Sequence, residues 1–208
     1  MKQNSIATLV TEPLDVERRL TAFCLTREGL LRVRDMALGA AADTTPFDPT
    51  NAAGTLAYIY GVRGLRFEFV GQGWQLDRVE NMEFIKNESL GMRVGFCNVR
   101  PTASEAGGPK ARSPKGAGAE RACQYNLALD FGDAMPNLPT GDKDYSTYFL
   151  MVERDGRAEL SRPVVKSGNF VDYVERLSIS DGSDFELDPT PLLDDGDLDV
   201  FDPVVARR

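Results

Sequence analysis

The side chains best placed to do chemistry lie between positions 99 and 121. Arg100, Lys110, Arg112, Lys115 and Arg121 stand there against Glu105 and Glu120, five positive charges to two negative, in a chain whose formal net charge is −8. Gly116 and Gly118 lead into Glu120-Arg121-Ala122-Cys123-Gln124-Tyr125-Asn126, which suits the start of an amphipathic helix. Free backbone amides at a helix start attract anions, glycine lets a ligand come close to the backbone, and Lys115 and Arg121 supply charge. The chemistry this predicts is phosphate or nucleotide binding over 110–121. The segment is neither a Walker A loop, which needs Gly-Lys-Ser/Thr, nor a full G-x-G-x-x-G, and Glu120 already faces the helix dipole. The plainer alternative is a surface loop. A second basic pair, Arg63 and Arg66, lies at i,i+3 and forms one ridge if 54–71 is helical.

No catalytic constellation accompanies these residues. The chain contains no histidine, which excludes a Ser-His-Asp or Cys-His nucleophile pair and any histidine-bearing metal site. A nuclease of the Asp/Glu-x-Lys type lacks its triplet, because Glu83-Phe84-Ile85-Lys86 holds one residue too many. Cys24, Cys97 and Cys123 are odd in number and widely spaced, which speaks against a disulfide framework and a zinc site. No cofactor is implied, and a non-enzymatic role is expected.

Charge divides the chain. Residues 181–208 hold nine acids and two arginines, while 1–180 are close to neutral, 22 basic against 23 acidic. A segment so charged and so poor in apolar residues is expected to stay disordered. Its Asp-x-Asp spacing resembles calcium loops but lacks the closing glutamate. Apolar runs fall far below the about 20 residues of a spanning helix, and the first residues lead into no signal-like apolar stretch. A cytoplasmic protein without a membrane partner is expected.

The elements that must position these groups read as α+β: N-terminal helices packed with a mainly antiparallel sheet, then the acidic tail. One domain is expected over 1–180, with a helical part at 14–70 and a sheet-rich part at 74–180 interrupted by the long loop 102–119. Thr11 is expected to cap a first helix carrying Pro13 in its first turn and Val16, Leu20, Phe23 and Cys24 on one face. Thr26 caps a second, with Leu30, Val33 and Ala37 as its stripe. Residues 54–71 fit a helix better than a hairpin, and Trp74 anchors the exit from that element. Strands are expected at 79–86 and 92–99, with Met92, Val94, Phe96 and Asn98 on one face. The clearest hairpin runs from 148 to 162 through Arg154-Asp155-Gly156-Arg157, where Asp-Gly suggests a type I′ turn. Residues 170–177 fit a strand or a short helix.

Three phrases carry a resemblance: Leu56-Ala57-Tyr58-Ile59-Tyr60-Gly61-Val62-Arg63, Lys115-Gly116-Ala117-Gly118-Ala119-Glu120-Arg121 and Arg157-Ala158-Glu159-Leu160-Ser161-Arg162-Pro163. Across roughly residues 14–179 the chain resembles a family of uncharacterised proteins from bacterial genomes and mobile elements. The resemblance implies a helix over 54–70 and brings no activity with it.

Three roles follow. The first is a non-enzymatic interaction or regulatory protein, of phage or mobile-element association, engaging a protein partner through its neutral body and acidic tail. The second is nucleic-acid binding. Three helices followed by a strand pair is the order of a winged helix, with Arg63 and Arg66 on the recognition helix, although a body near neutrality lacks the clustered charge that phosphate affinity needs. The third is the anion site at 110–121.

Overall fold

The computed structural model describes residues 8–79, 81–100, 108–112, 116, 118–123, 126 and 145–186. Helix α1 (Pro13–Ala22) takes proline at its first position, where the missing N–H costs nothing. Its N-cap is Glu12, which makes no side-chain capping bond, so Thr11 is not the cap. Val16, Leu20 and Phe23 turn inward, whereas Cys24 takes φ 55° and is exposed, and Leu25 occupies the buried position instead. Helix α2 (Arg27–Ala42) is capped by Thr26, whose hydroxyl accepts the Gly29 amide at 3.1 Å. Leu30, Val33 and Ala37 form its fully buried stripe.

Residues 54–70 are helical, within α3 (Ala52–Phe69). The glycines that weaken its intrinsic propensity are what let it pack. A Cβ on Gly61 would lie 2.4 Å from the Phe96 ring, and one on Gly64 would lie 3.2 Å from the Val33 Cα. Small residues here bring α3 against both the sheet and α2. Trp74 is buried, and its indole N–H donates to the Cys24 carbonyl at 3.0 Å, pinning the exit of α3 to the α1–α2 turn.

Eight strands form one mixed, mostly antiparallel sheet: β1 (Thr8–Val10), β2 (Gln75–Val79), β3 (Met82–Asn87), β4 (Met92–Arg100), β5 (Lys110–Ala111), β6 (Ser146–Val152), β7 (Arg157–Lys166) and β8 (Asn169–Asp181). Their order is β1-β8-β7-β6-β4-β3-β2, with β5 paired to β4 off that path. Two pairings are parallel, β1 with β8 and β4 with β6. The expected strand over 79–86 is two strands: Val79 ends β2, Asn81 takes φ 63° in the turn, and Met82 begins β3. Residues 170–177 lie within β8.

The β6–β7 hairpin forms where expected, with a different turn. Asp155 keeps a negative φ while Gly156 has φ 91°. Gly156 N donates to Glu153 O and Glu153 N to Arg157 O. This is a three-residue loop with glycine at the left-handed position, not a type I′ pair.

Alternation along β6 shows how the sheet is buried. Tyr148, Leu150 and Val152 join the core with α1, α2 and α3, while Phe149 and Met151 face the opposite side with Phe84, Cys97, Val99 and Tyr173. A parallel β4–β6 pair requires a crossover, and residues 118–123, helical within it, add Ala122 and Cys123 to that second core. Asn126 locks the crossover to the sheet. Its amide donates to Thr147 O at 2.9 Å and Pro163 O at 2.8 Å and accepts from Thr147 N at 2.8 Å, all fully buried.

The acidic segment expected from residue 181 starts later than its composition suggests. Buried Arg34 binds Asp184 at 2.8 Å, Ser180 Oγ at 2.9 Å and Gly156 O at 3.1 Å, and its guanidinium lies over the Phe185 ring. Residues 181–186 are therefore part of the folded body; 187–208 lie outside the described residues. No helix among the described residues is long and apolar enough to cross a membrane.

Candidate functional site

The cleft of interest opens where α3 begins. Ala52 N donates to Pro49 O at 2.8 Å, and the first i→i−4 bond is Thr55 N to Asn51 O at 3.0 Å. The Ala53 and Gly54 amides come before that bond, and Asn51, the N-cap, offers no side-chain acceptor. This end of the helix is fixed to the sheet by Asn98 of β4, whose amide donates to Gly54 O at 2.8 Å. Asn98 is a polar residue on the inward face of a strand, and that was the one signal in the sequence that it has a special task.

Arg112, just beyond β5, reaches over the same turn. Its Nη1 lies 4.0 Å from the position a Cβ on Gly54 would occupy. A guanidinium and a helix N-terminus both carry positive potential, so together they favour an anionic ligand. The cavity here has a volume of about 520 Å³. Tyr58, Phe96 and Phe149 give it aromatic walls, Thr50 and Thr55 add hydroxyls, and Gly116 and Arg154 contribute from the crossover and the β6–β7 turn. Among the described residues lining it there is no carboxylate. A smaller pocket of about 20 Å³ shares Asn98, Arg112 and Arg154 and adds Glu153. Burial, then the Asp155 charge, raises the Glu153 pKa.

The basic residues singled out from the sequence do not converge on one point. Arg112 and Gly116 line the cleft. Arg100 and Lys110 are exposed and directly opposite one another across the β4–β5 ladder. Gly118 lies in the helical stretch 118–123 and Arg121 is exposed on it, while Lys115 lies outside the described residues. The start of α3 faces the cleft, and Gly116 and Ala119, at the beginning of the 118–123 helical stretch, line it as well.

Arg63 and Arg66 separate. Arg63 is exposed, with its guanidinium 4.4 Å from the Tyr60 ring centroid, whereas half-buried Arg66 pairs with Glu83 of β3 at 2.5 Å. The three helices and the β3–β4 pair do not make a free-standing winged helix either, because β4 continues into the sheet through β6. Arg154, Asn51 and Tyr58 were not foreseen as site residues; only tertiary packing brings them together.

The chain matches no family model, no curated protein and no solved structure.

Proposed function

We propose that the protein is a non-enzymatic binding protein whose cleft at the start of α3 takes a phosphate-bearing small ligand of mononucleotide size. The observation that carries this is the placement of Arg112 against the first turn of α3 in a cavity lined, among the described residues, by arginines and no carboxylate. Backbone amides and a guanidinium together supply the donors a phosphate group needs. Tyr58, 38% exposed at the cleft, offers an aromatic face for a ring attached to it, and about 520 Å³ is within the range of small-molecule sites.

Binding is favoured over catalysis because the cleft lacks a group suited to moving protons. Arginine stays protonated, the chain has no histidine, and the remaining titratable wall residue among the described residues is Tyr58. The same cleft supports the anion role expected for 110–121 through Arg112 and Gly116. It ranks ahead of the protein-partner role, whose acidic segment is packed against the body as far as residue 186.

Calorimetric titration with a nucleoside monophosphate and with inorganic phosphate tests the proposal. Saturable binding that falls with salt is expected, weakened about tenfold or more by Arg112→Ala, the scale of one charge-assisted hydrogen bond. Absence of binding by either probe at low salt, or an Arg112→Ala variant that binds as the parent does, would overturn it.

A further inference from the structure

A second cavity, of about 320 Å³, lies beside β7 and β8, lined by Glu159 and Ser178 from the sheet face away from α1–α3 and by Ala158 and Ser180 from the face toward them. Its apolar walls are Leu9, Val99, Pro109, Met151 and Ala158, and its polar wall is built mainly from β7 and β8. Nearly every charged group there has its partner. Arg176 holds Glu159 through two bonds, 3.0 and 2.7 Å, with both side chains largely buried. Arg157 pairs with Asp155 at 3.1 Å, and Asp181 accepts the Ser183 amide and hydroxyl at 3.0 and 2.6 Å.

Glu153 is the exception. It directly follows β6 and is 6% exposed, and its Oε2 has no hydrogen-bond donor among the described residues. A buried carboxylate oxygen without a donor forfeits its hydration and receives nothing in exchange. In a cavity whose other charged groups are internally paired, the partner that fits is a donor with positive charge on a compact head, followed by a short apolar body to lie against Val99, Met151 and Ala158.

We infer that this cavity is a second binding site, for a short-chain primary ammonium compound whose N–H groups donate to Glu153. This cavity and the proposed phosphate cleft share no lining residue, and the small pocket between them is lined by Asn98, Arg112 and Arg154 of the one and Val99 and Glu153 of the other.

The test is calorimetric titration of the full chain with n-butylammonium chloride, with n-butanol and sodium chloride as controls. Saturable one-site binding of butylammonium is expected, with no binding of butanol and no equivalent effect of sodium chloride. Glu153→Gln, nearly isosteric and uncharged, is expected to lose at least tenfold in affinity while its circular dichroism and Tm show an intact fold. Ser178→Phe, which fills the cavity from its half-buried wall, is expected to block binding altogether. Equal binding of butanol, the same response to sodium chloride, or undiminished affinity in Glu153→Gln would each overturn the inference. Should a variant fail to fold, the butylammonium, butanol and sodium chloride comparison on the wild-type protein decides the matter alone.

Discussion

Asp184→Asn should destabilise the protein at neutral pH by about 1 kcal/mol, and the loss should vanish in acid. Hydrogen bonding from Arg34 holds the Asp184 carboxyl down to about 2 from its ordinary 3.8, with Ser180 assisting and partial burial opposing. At about 1.36 kcal/mol per tenfold change in proton affinity, this difference sets an upper bound of roughly 2.5 kcal/mol. The side chain is 37% exposed, and screening by water reduces the expected value to about 1 kcal/mol. Because the folded-state pKa is depressed, the contribution is present above the unfolded value near 3.8 and is lost as pH falls toward about 2. Urea unfolding of the wild type and Asp184→Asn at pH 7, 4 and 2.5 measures it. The gap should be full at pH 7, narrower at pH 4 and mostly closed at pH 2.5. Equal midpoints at pH 7, or a gap that does not change with pH, would refute the reasoning that ties residues 181–186 to the body through Arg34.

Gly61→Ala places a methyl group 2.4 Å from the Phe96 ring, so α3 must shift off the sheet, and a loss of about 1–3 kcal/mol is expected by chemical denaturation. Asn126→Ala leaves the buried Thr147 amide and the Thr147 and Pro163 carbonyls without their partner; about 3 kcal/mol or more should be lost, with faster amide exchange at Thr147 as its local signature.

What could be read from the sequence was local. Thr26 and the Leu30, Val33, Ala37 stripe mark α2 because capping and helical periodicity depend on near neighbours. The β6–β7 hairpin shows for the same reason, although the choice between a type I′ turn and a glycine bulge turned on the φ of Asp155 alone. Strand β2 did not show: Asp77 and Arg78 make it polar, and it is held by pairing with β3 and by an Asp77–Arg93 ion pair at 2.8 Å to β4. The parallel addition of β1 to β8 left no trace in three residues. Residues 181–186 looked like solvated chain because Asp184 finds Arg34 from 150 positions away. At the candidate site, charge type pointed to Arg112 and glycine to Gly116. The start of α3 joins them there, and Asn98, Gly54 and Arg154 meet at the cleft only through the packing of α3 on β4.

The most direct test of the central claim is a two-dimensional ¹⁵N–¹H spectrum of the full chain recorded during titration with a nucleoside monophosphate at low salt. The account predicts saturable shifts concentrated at the Ala53, Gly54 and Gly116 amides and at the Arg112 side chain, absent in Arg112→Ala, with Glu159 and Ser178 on the opposite sheet face unmoved. Shifts that avoid the first turn of α3, or a spectrum that does not change, would contradict it.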